Sequence, residues 1–310
     1  MSVLVAGSTG LAGSAIAAAF EAQGQEVVRV NRSIVDLMDL DATKRFLKVT
    51  KPALVVDAAA KVGGIGANKS FPVEFLVDNI RIQSNLMQAA HEAEVEKLVF
   101  LGSSCIYPRD CAQPIKEEYL MTGPLEATNS AYAIAKIAGL ELVNSYRKEH
   151  GRKWISLMPT NLYGLRDNFD LQASHVLPAF IRRFVEAMET NAPSVTLWGS
   201  GAPLREFLHV DDLASAVVKA SQNYDSSMHL NIGTGEDLAI RDLAIMVASL
   251  SGFKGEIIWD TSKPDGIPRK TLDVSRIKAL GWKPTITLSD GIKSTIAWYK
   301  SASASGEARK

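Results

Sequence analysis

At 310 residues, 46% hydrophobic and 22% charged, the chain is long enough for one large α/β domain or two lobes around a real core. Its 34 basic and 34 acidic residues cancel, so nothing in the charge favours nucleic acid or an anionic membrane as a partner. Two cysteines, Cys105 and Cys111, make no disulfide framework, and no Cys/His spacing fits a metal; a reducing cytoplasm and no metal are expected.

Ser2 to Ala6 is a short apolar run that ends in glycine, the pattern of a strand buried on both faces. The first twenty residues carry no charge, but no Lys or Arg precedes the run and Gly7, Gly10 and Gly13 interrupt it, which argues against a signal peptide. Leu11–Gln23 is alanine-rich and stopped by Gly24, hence a helix. Strands follow at Glu26–Val30, Ala53–Asp57, Lys97–Leu101 and Trp154–Met158, with helices at Pro72–Ala93 and Ala131–His150. Strand and helix in alternation predict a doubly wound parallel sheet of Rossmann type over residues 1–165. Beyond 165 the pattern loosens. Prolines at 193, 203, 264, 268 and 284 break it into short segments, which reads as a smaller substrate-binding lobe over 166–300 with some segments returning to the first. Strands are expected at Val195–Trp198 and His229–Ile232, helices at Asp212–Gln222 and Asp242–Ser251. The small, polar residues 301–310 read as a disordered tail.

Two stretches carry chemistry. Gly7-Ser8-Thr9-Gly10-Leu11-Ala12-Gly13 joins the first strand to the first helix. Glycines there let backbone N–H groups approach a dinucleotide pyrophosphate at a helix start. Where NAD sites place an acid after the second strand, this chain has Asn31-Arg32-Ser33, and Arg32 suits a 2′-phosphate, favouring NADP. Asp36 or Asp39 in the following loop would meet the adenine amine. Tyr132 and Lys136, four apart on a helix, share one face. The ammonium favours phenolate, so the tyrosine can exchange a proton near neutral pH. Ser103, at the carboxyl end of the fourth strand, stands where open sheets hold ligands.

Glycine loop, strand-end serine and Tyr-x-x-x-Lys together resemble the extended short-chain dehydrogenase/reductase family. The blocks AAAKVGGI (58–65), LGSSCIYP (101–108), YAIAKIAGLE (132–141), MPTNLYG (158–164), REFLHVDD (205–212) and KPDGIPRK (263–270) resemble its GDP-L-fucose synthase group over residues 3–299. The resemblance implies a 3,5-epimerase and 4-reductase of a GDP-4-keto-6-deoxy sugar. In that reading Cys105 is the base and His175 the acid that invert two carbons, while Ser103 and Tyr132 hold the ketone oxygen and Lys136 the nicotinamide ribose. Asn161, Leu162 and His175 would face the nicotinamide. Arg183, Trp198, Arg205, Asp265 and Lys270 would hold the GDP-sugar. The resemblance also implies a homodimer through two long helices. In one respect the chain departs from the group: Ser8 and Thr9 stand where a basic residue often helps the 2′-phosphate. Related chemistry on another GDP-deoxysugar, such as GDP-L-colitose, stays open, as does a non-catalytic NADPH sensor on the same fold.

Overall fold

The computed structural model describes residues 2–263 and 265–310; Met1 and Pro264, the latter within the KPDG turn, lie outside the described residues. From the amino terminus the elements are β1 (Ser2–Ala6), α1 (Leu11–Ala22), β2 (Glu26–Val30), α2 (Leu40–Thr50), β3 (Leu54–Asp57), α3 (Ile65–Ser70), α4 (Pro72–Glu92), β4 (Lys97–Leu101), α5 (Ser130–His150) and β5 (Ile155–Pro159). Then come β6 (Asn161–Tyr163), α6 (Val176–Glu189), β7 (Ser194–Trp198), β8 (Leu204–Arg205), β9 (Phe207–His209), α7 (Val210–Asn223) and β10 (Leu230–Ile232). The chain continues through β11 (Leu238–Ala239), α8 (Ile240–Ser251), β12 (Glu256–Asp260), β13 (Arg269–Lys270), α9 (Ser275–Ala279) and α10 (Leu288–Ser305).

Six strands form a parallel sheet in the order β10-β5-β4-β3-β1-β2. The apolar runs of β1, β3 and β4 are buried on both faces, as helices on each side require; α1 packs with α7, and α2, α4 and α5 pack in succession. The sequence order reverses between β1 and β3, where Ala6 pairs with Asp57. Their carboxyl ends open the crevice in which such sheets bind ligands. A second apolar cluster, with Phe169, Phe180, Phe184, Leu243, Val247 and Tyr299, gathers α6, α8 and α10. Against it lie the pair β7–β12 and the small sheet β11-β8-β13.

Residues 301–310 correct the sequence reading. Instead of fraying, the alanine-rich segment continues α10 to Ser305 and buries Ala302. Beyond the helix, the Phe169 N–H donates to the Arg309 carbonyl at 2.9 Å, and the Arg309 guanidinium donates to the Arg166 carbonyl. The end of the chain thus clasps the loop that leads to His175.

Asp167 lies under that clasp. One carboxylate oxygen accepts the Asn168 N–H at 2.7 Å and the other has no partner among the described residues. Burial pushes this acid up to about 7, against small opposing pulls from the Asn168 N–H and Arg309. The native state therefore holds a proton that the unfolded chain releases near pH 4, so stability falls as pH rises from about 4 to about 7. Asp167→Asn should remove that slope. Its melting temperature should match the parent near pH 4 and exceed it at pH 8, by on the order of 3 kcal/mol in stability. Equal melting curves at pH 8 would refute the assignment.

Candidate active site

The glycine loop begins with Gly7 at φ +77°. A Cβ on Gly7 would lie 2.7 Å from the Ala58 carbonyl oxygen, and one on Gly13 2.2 Å from the Gly7 oxygen. Only a bare backbone lets strand, turn and helix close up here. Gly10 caps α1 without any side-chain bond, so the first N–H groups of the helix face outward, as a phosphate cradle requires. Thr9 is exposed and Leu11 half-buried at this mouth. Ser8 differs from expectation: its N–H and its hydroxyl both donate to the Val30 carbonyl, at 2.9 and 3.0 Å. It locks the turn to β2 and has no donor left for an anion. We expect Gly13→Ala to lower dinucleotide affinity at least tenfold and to destabilise the fold by about 1–3 kcal/mol, the cost of overpacking. Fluorescence titration with NADPH reads the first effect and thermal melting the second; an unchanged affinity would count against the cradle.

Past β2, Arg32 is 79% exposed and only loosely paired with Asp36, at 3.8 Å, so its guanidinium is available to an incoming phosphate. Asp36 accepts the Met38 N–H at 3.0 Å. Asp39 is drawn into structure, capping α2 through the Ala42 N–H at 2.9 Å.

At the carboxyl end of β4 the chain enters a 3-10 turn, Ser104–Ile106, capped by Ser103, whose hydroxyl accepts the Cys105 N–H at 3.3 Å. Cys105 is buried. Burial pushes its thiol up, while the Lys270 ammonium, the Ser103 hydroxyl and Lys136 pull it down. Lys136 projects from α5 back to the same strand end: its Nζ donates to the Leu101 carbonyl at 2.9 Å and lies 4.8 Å from the Phe100 ring centre and 5.9 Å from that of Tyr132. The expected phenolate is corrected here. Burial, reinforced by nearby Cys105, raises the Tyr132 phenol instead of lowering it. The phenol stays protonated at rest, the form that can donate to a carbonyl oxygen. Its ring stands edge-on to Phe75, with centres 6.2 Å apart.

Lys270 on β13 joins the two halves of the site, because its charge acts on Cys105, on His175 and on Arg205. His175 is the exposed residue that caps the start of α6; surrounding protein and then Lys270 hold its imidazole below its ordinary value. The VGG stretch braces this histidine loop. The Gly64 N–H donates to Ala173 at 2.7 Å, and a Cβ on Gly64 would lie 2.5 Å from the Ser174 oxygen. A narrow cleft beside Cys105 is lined by Arg109, Glu126, Asn129, Arg269 and Lys270. Sequence reasoning passed over Asn129, whose buried Oδ1 has no partner among the described residues although it lies one helical turn before Tyr132.

Further out, Arg205 is half-buried, and its Nη1 donates to the Leu204 carbonyl at 2.8 Å. The next residue, Glu206, is fully buried; its carboxylate accepts the Gly235 N–H at 2.8 Å and the Leu272 N–H at 2.9 Å. Asp265 accepts the Ser200 N–H and hydroxyl at 2.9 and 2.6 Å, fixing the turn beside Arg205. Trp198 is 70% exposed, with the Lys263 Nζ 5.9 Å from its ring centre. Arg183 makes no ion pair among the described residues, whereas Arg182 is committed to Glu186 and to the Phe169 carbonyl. Asn161 is partly spent on structure, its amide donating to the Glu206 carbonyl at 2.8 Å. Leu162 packs on the main core. No cluster of metal-ligand residues occurs among the described residues.

Residues 3–233 match the NAD dependent epimerase/dehydratase family. The chain is 48% identical to a GDP-L-fucose synthase of Escherichia coli K12 over 96% of each chain. It is 36% identical to a GDP-L-colitose synthase of Yersinia pseudotuberculosis over 96% of this chain and 98% of that one. Among solved structures it resembles a GDP-L-fucose synthetase of Naegleria fowleri bound to NADP, with TM-score 0.90 and 30% identity, covering 100% of this chain and 96% of that one.

Proposed function

This chain belongs to the NAD dependent epimerase/dehydratase family, and we propose that within it the protein converts GDP-4-keto-6-deoxy-D-mannose to GDP-L-fucose with NADPH. The observation that carries this reading is the cleft that Cys105 and Lys270 line together, beside the Ser103, Tyr132 and Lys136 set; the charge of Lys270 is also felt at His175. A simple 4-epimerase needs the second group but not the Cys–His pair. The greater identity to the fucose enzyme than to the colitose enzyme, 48% against 36%, favours the fucose product.

Each side chain then has a task. The α1 N-terminus and its glycines take the pyrophosphate; Arg32 takes the 2′-phosphate, so NADPH should be preferred to NADH. Lys136 holds the nicotinamide ribose, with Asn161, Leu162 and His175 at the nicotinamide end. NADPH, when bound, supplies the hydride for C4. Ser103 and the protonated Tyr132 grip the C4 oxygen, stabilising enolate during epimerisation and alkoxide during reduction. Cys105 removes the proton from a carbon next to the ketone and His175 returns one on the other face. Arg183, Arg205 and Lys270 meet the diphosphate, Arg205 and Arg183 with the planar fork that suits phosphate oxygens. Trp198 and Asp265 frame the nucleotide end.

Nicotinamide absorbance on mixing NADPH and GDP-4-keto-6-deoxymannose, with NMR of the product sugar and a parallel run with NADH, tests all of this. GDP-L-fucose formed with NADPH is the expected result. A folded protein that binds NADPH yet leaves it unoxidised would instead support the sensor reading.

The free state of Cys105 and Cys111 suits a cytoplasmic protein, and among the described residues no helix is long and apolar enough to cross a membrane. A homodimer through α4 and α5 would cover the exposed Val73, Ile80 and Ile134; light scattering at a monomer mass would reject it.

A further inference from the structure

We propose that Asp57 is a positioning residue that keeps the Lys136 ammonium charged inside the protein. The proposal rests on the reading of Lys136 given above and extends it to a group that none of the motifs includes. Asp57 closes β3 with the run Leu54-Val-Val-Asp57, all four residues buried. In register it lies between Ala6, which leads into the glycine loop, and Phe100 of β4. Lys136 sits over that Phe100 ring. One Asp57 oxygen accepts the Ala59 N–H at 3.3 Å, a long bond, and the other has no partner among the described residues. A 1% exposed carboxylate so poorly satisfied is costly unless a cation compensates it.

Lys136, over the ring of Phe100, the register partner of Asp57, is the buried cation on that side of the sheet. No hydrogen bond or ion pair joins the two among the described residues, so they act on each other through space. Lys136 is itself buried, and its one hydrogen bond among the described residues goes to a neutral carbonyl. Burial alone drives such an amine toward its neutral form. Asp57 is the first group that opposes this, and Cys105 does so only as thiolate. The surroundings offer no better anion: Tyr132 is held as neutral phenol, and the acids of α4, Glu74 and Asp78, are committed to Lys61. Burial raises Asp57 to about 6, against the pull of Lys136 and the Ala59 N–H. The carboxylate is therefore present at neutral pH and disappears below it.

Asp57→Asn keeps the shape and can still accept the Ala59 N–H, so it removes only the charge. With NADPH and the keto sugar, the basic limb of the kcat profile should move down by about one pH unit, making the variant about tenfold slower than the parent on that limb. Below pH 6, where Asp57 takes up its proton, parent and variant should converge. A merely structural role would lower the curve at every pH and leave its limbs in place, and that result would overturn the proposal. A second measurement needs neither substrate nor turnover. In Lys136→Met the lost cation should let Asp57 hold its proton at neutral pH, so a protonated-carboxyl band should appear in the infrared difference spectrum against the parent. Absence of that band from folded Lys136→Met would overturn the pairing whatever the sugar substrate is. Should Asp57→Asn melt before assay, this spectrum decides the matter alone.

Discussion

Cys105→Ser should yield sugar that is still reduced at C4 or untouched, but not epimerised. In deuterium oxide the parent should incorporate solvent deuterium at both carbons flanking the ketone. The variant should do so about 10²–10⁴-fold more slowly, the usual worth of a positioned base. The substitution changes little but the sulfur: the turn capped by Ser103 stays, and a hydroxyl fits where the thiol lay. What is lost is an acid whose ordinary pKa, near 8.5, already borders neutrality. Because burial raises the Cys105 thiol despite Lys270, Ser103 and Lys136, exchange by the parent should climb with pH above neutrality as thiolate forms. The serine variant should show no such climb. NADPH should bind both proteins equally. Deuterium entering the variant at the parental rate would remove Cys105 from the mechanism and leave the epimerisation to another base.

The second large effect is expected at the phenol. Tyr132→Phe preserves the edge-on contact with Phe75 and the neighbouring Lys136 but removes the proton that must reach the C4 oxygen. NADPH oxidation should fall by about 10²–10⁴-fold. Deuterium exchange should slow as well, because the same hydroxyl would stabilise the enolate. Cofactor affinity, carried by the α1 N-terminus and the far side of the pocket, should stay within a factor of two. The high resting pKa of the phenol suits the reductive direction, in which the group starts protonated. Parental turnover from Tyr132→Phe would shift the proton donor to Ser103 or solvent.

How much of this was legible before folding differs from one part to another. Five strands of the six-stranded sheet were readable as short runs rich in branched apolar residues between helix-favouring stretches. The sixth, β10, was expected as a strand, but three residues long and far along the chain it gave no sign that it pairs with β5. Tyr132 and Lys136 were readable because four residues return a helix to one face. The strands β8, β11 and β13 have two residues each, too few for any periodicity. The terminal segment misled because small residues look unstructured in sequence, yet they are what lets a helix pack closely. Ser8 looked like a phosphate ligand by position, but the carbonyl of Val30 was nearer. Asp57 carried a signal that was passed over: an acid at the end of an otherwise apolar buried strand must have a reason, and its partner lay 79 residues on.

Glu206, anchored by the N–H groups of Gly235 and Leu272, has a consequence for how this site tolerates change. Along an extended backbone neighbouring side chains point opposite ways. With the glutamate fixed inward, Arg205 is turned the other way, to the side on which we propose the diphosphate lies. Parity, more than composition, gives the site its sign. A slip of this segment by one residue would exchange the two and put a carboxylate where we propose the diphosphate lies. Drift in register is therefore forbidden at this step.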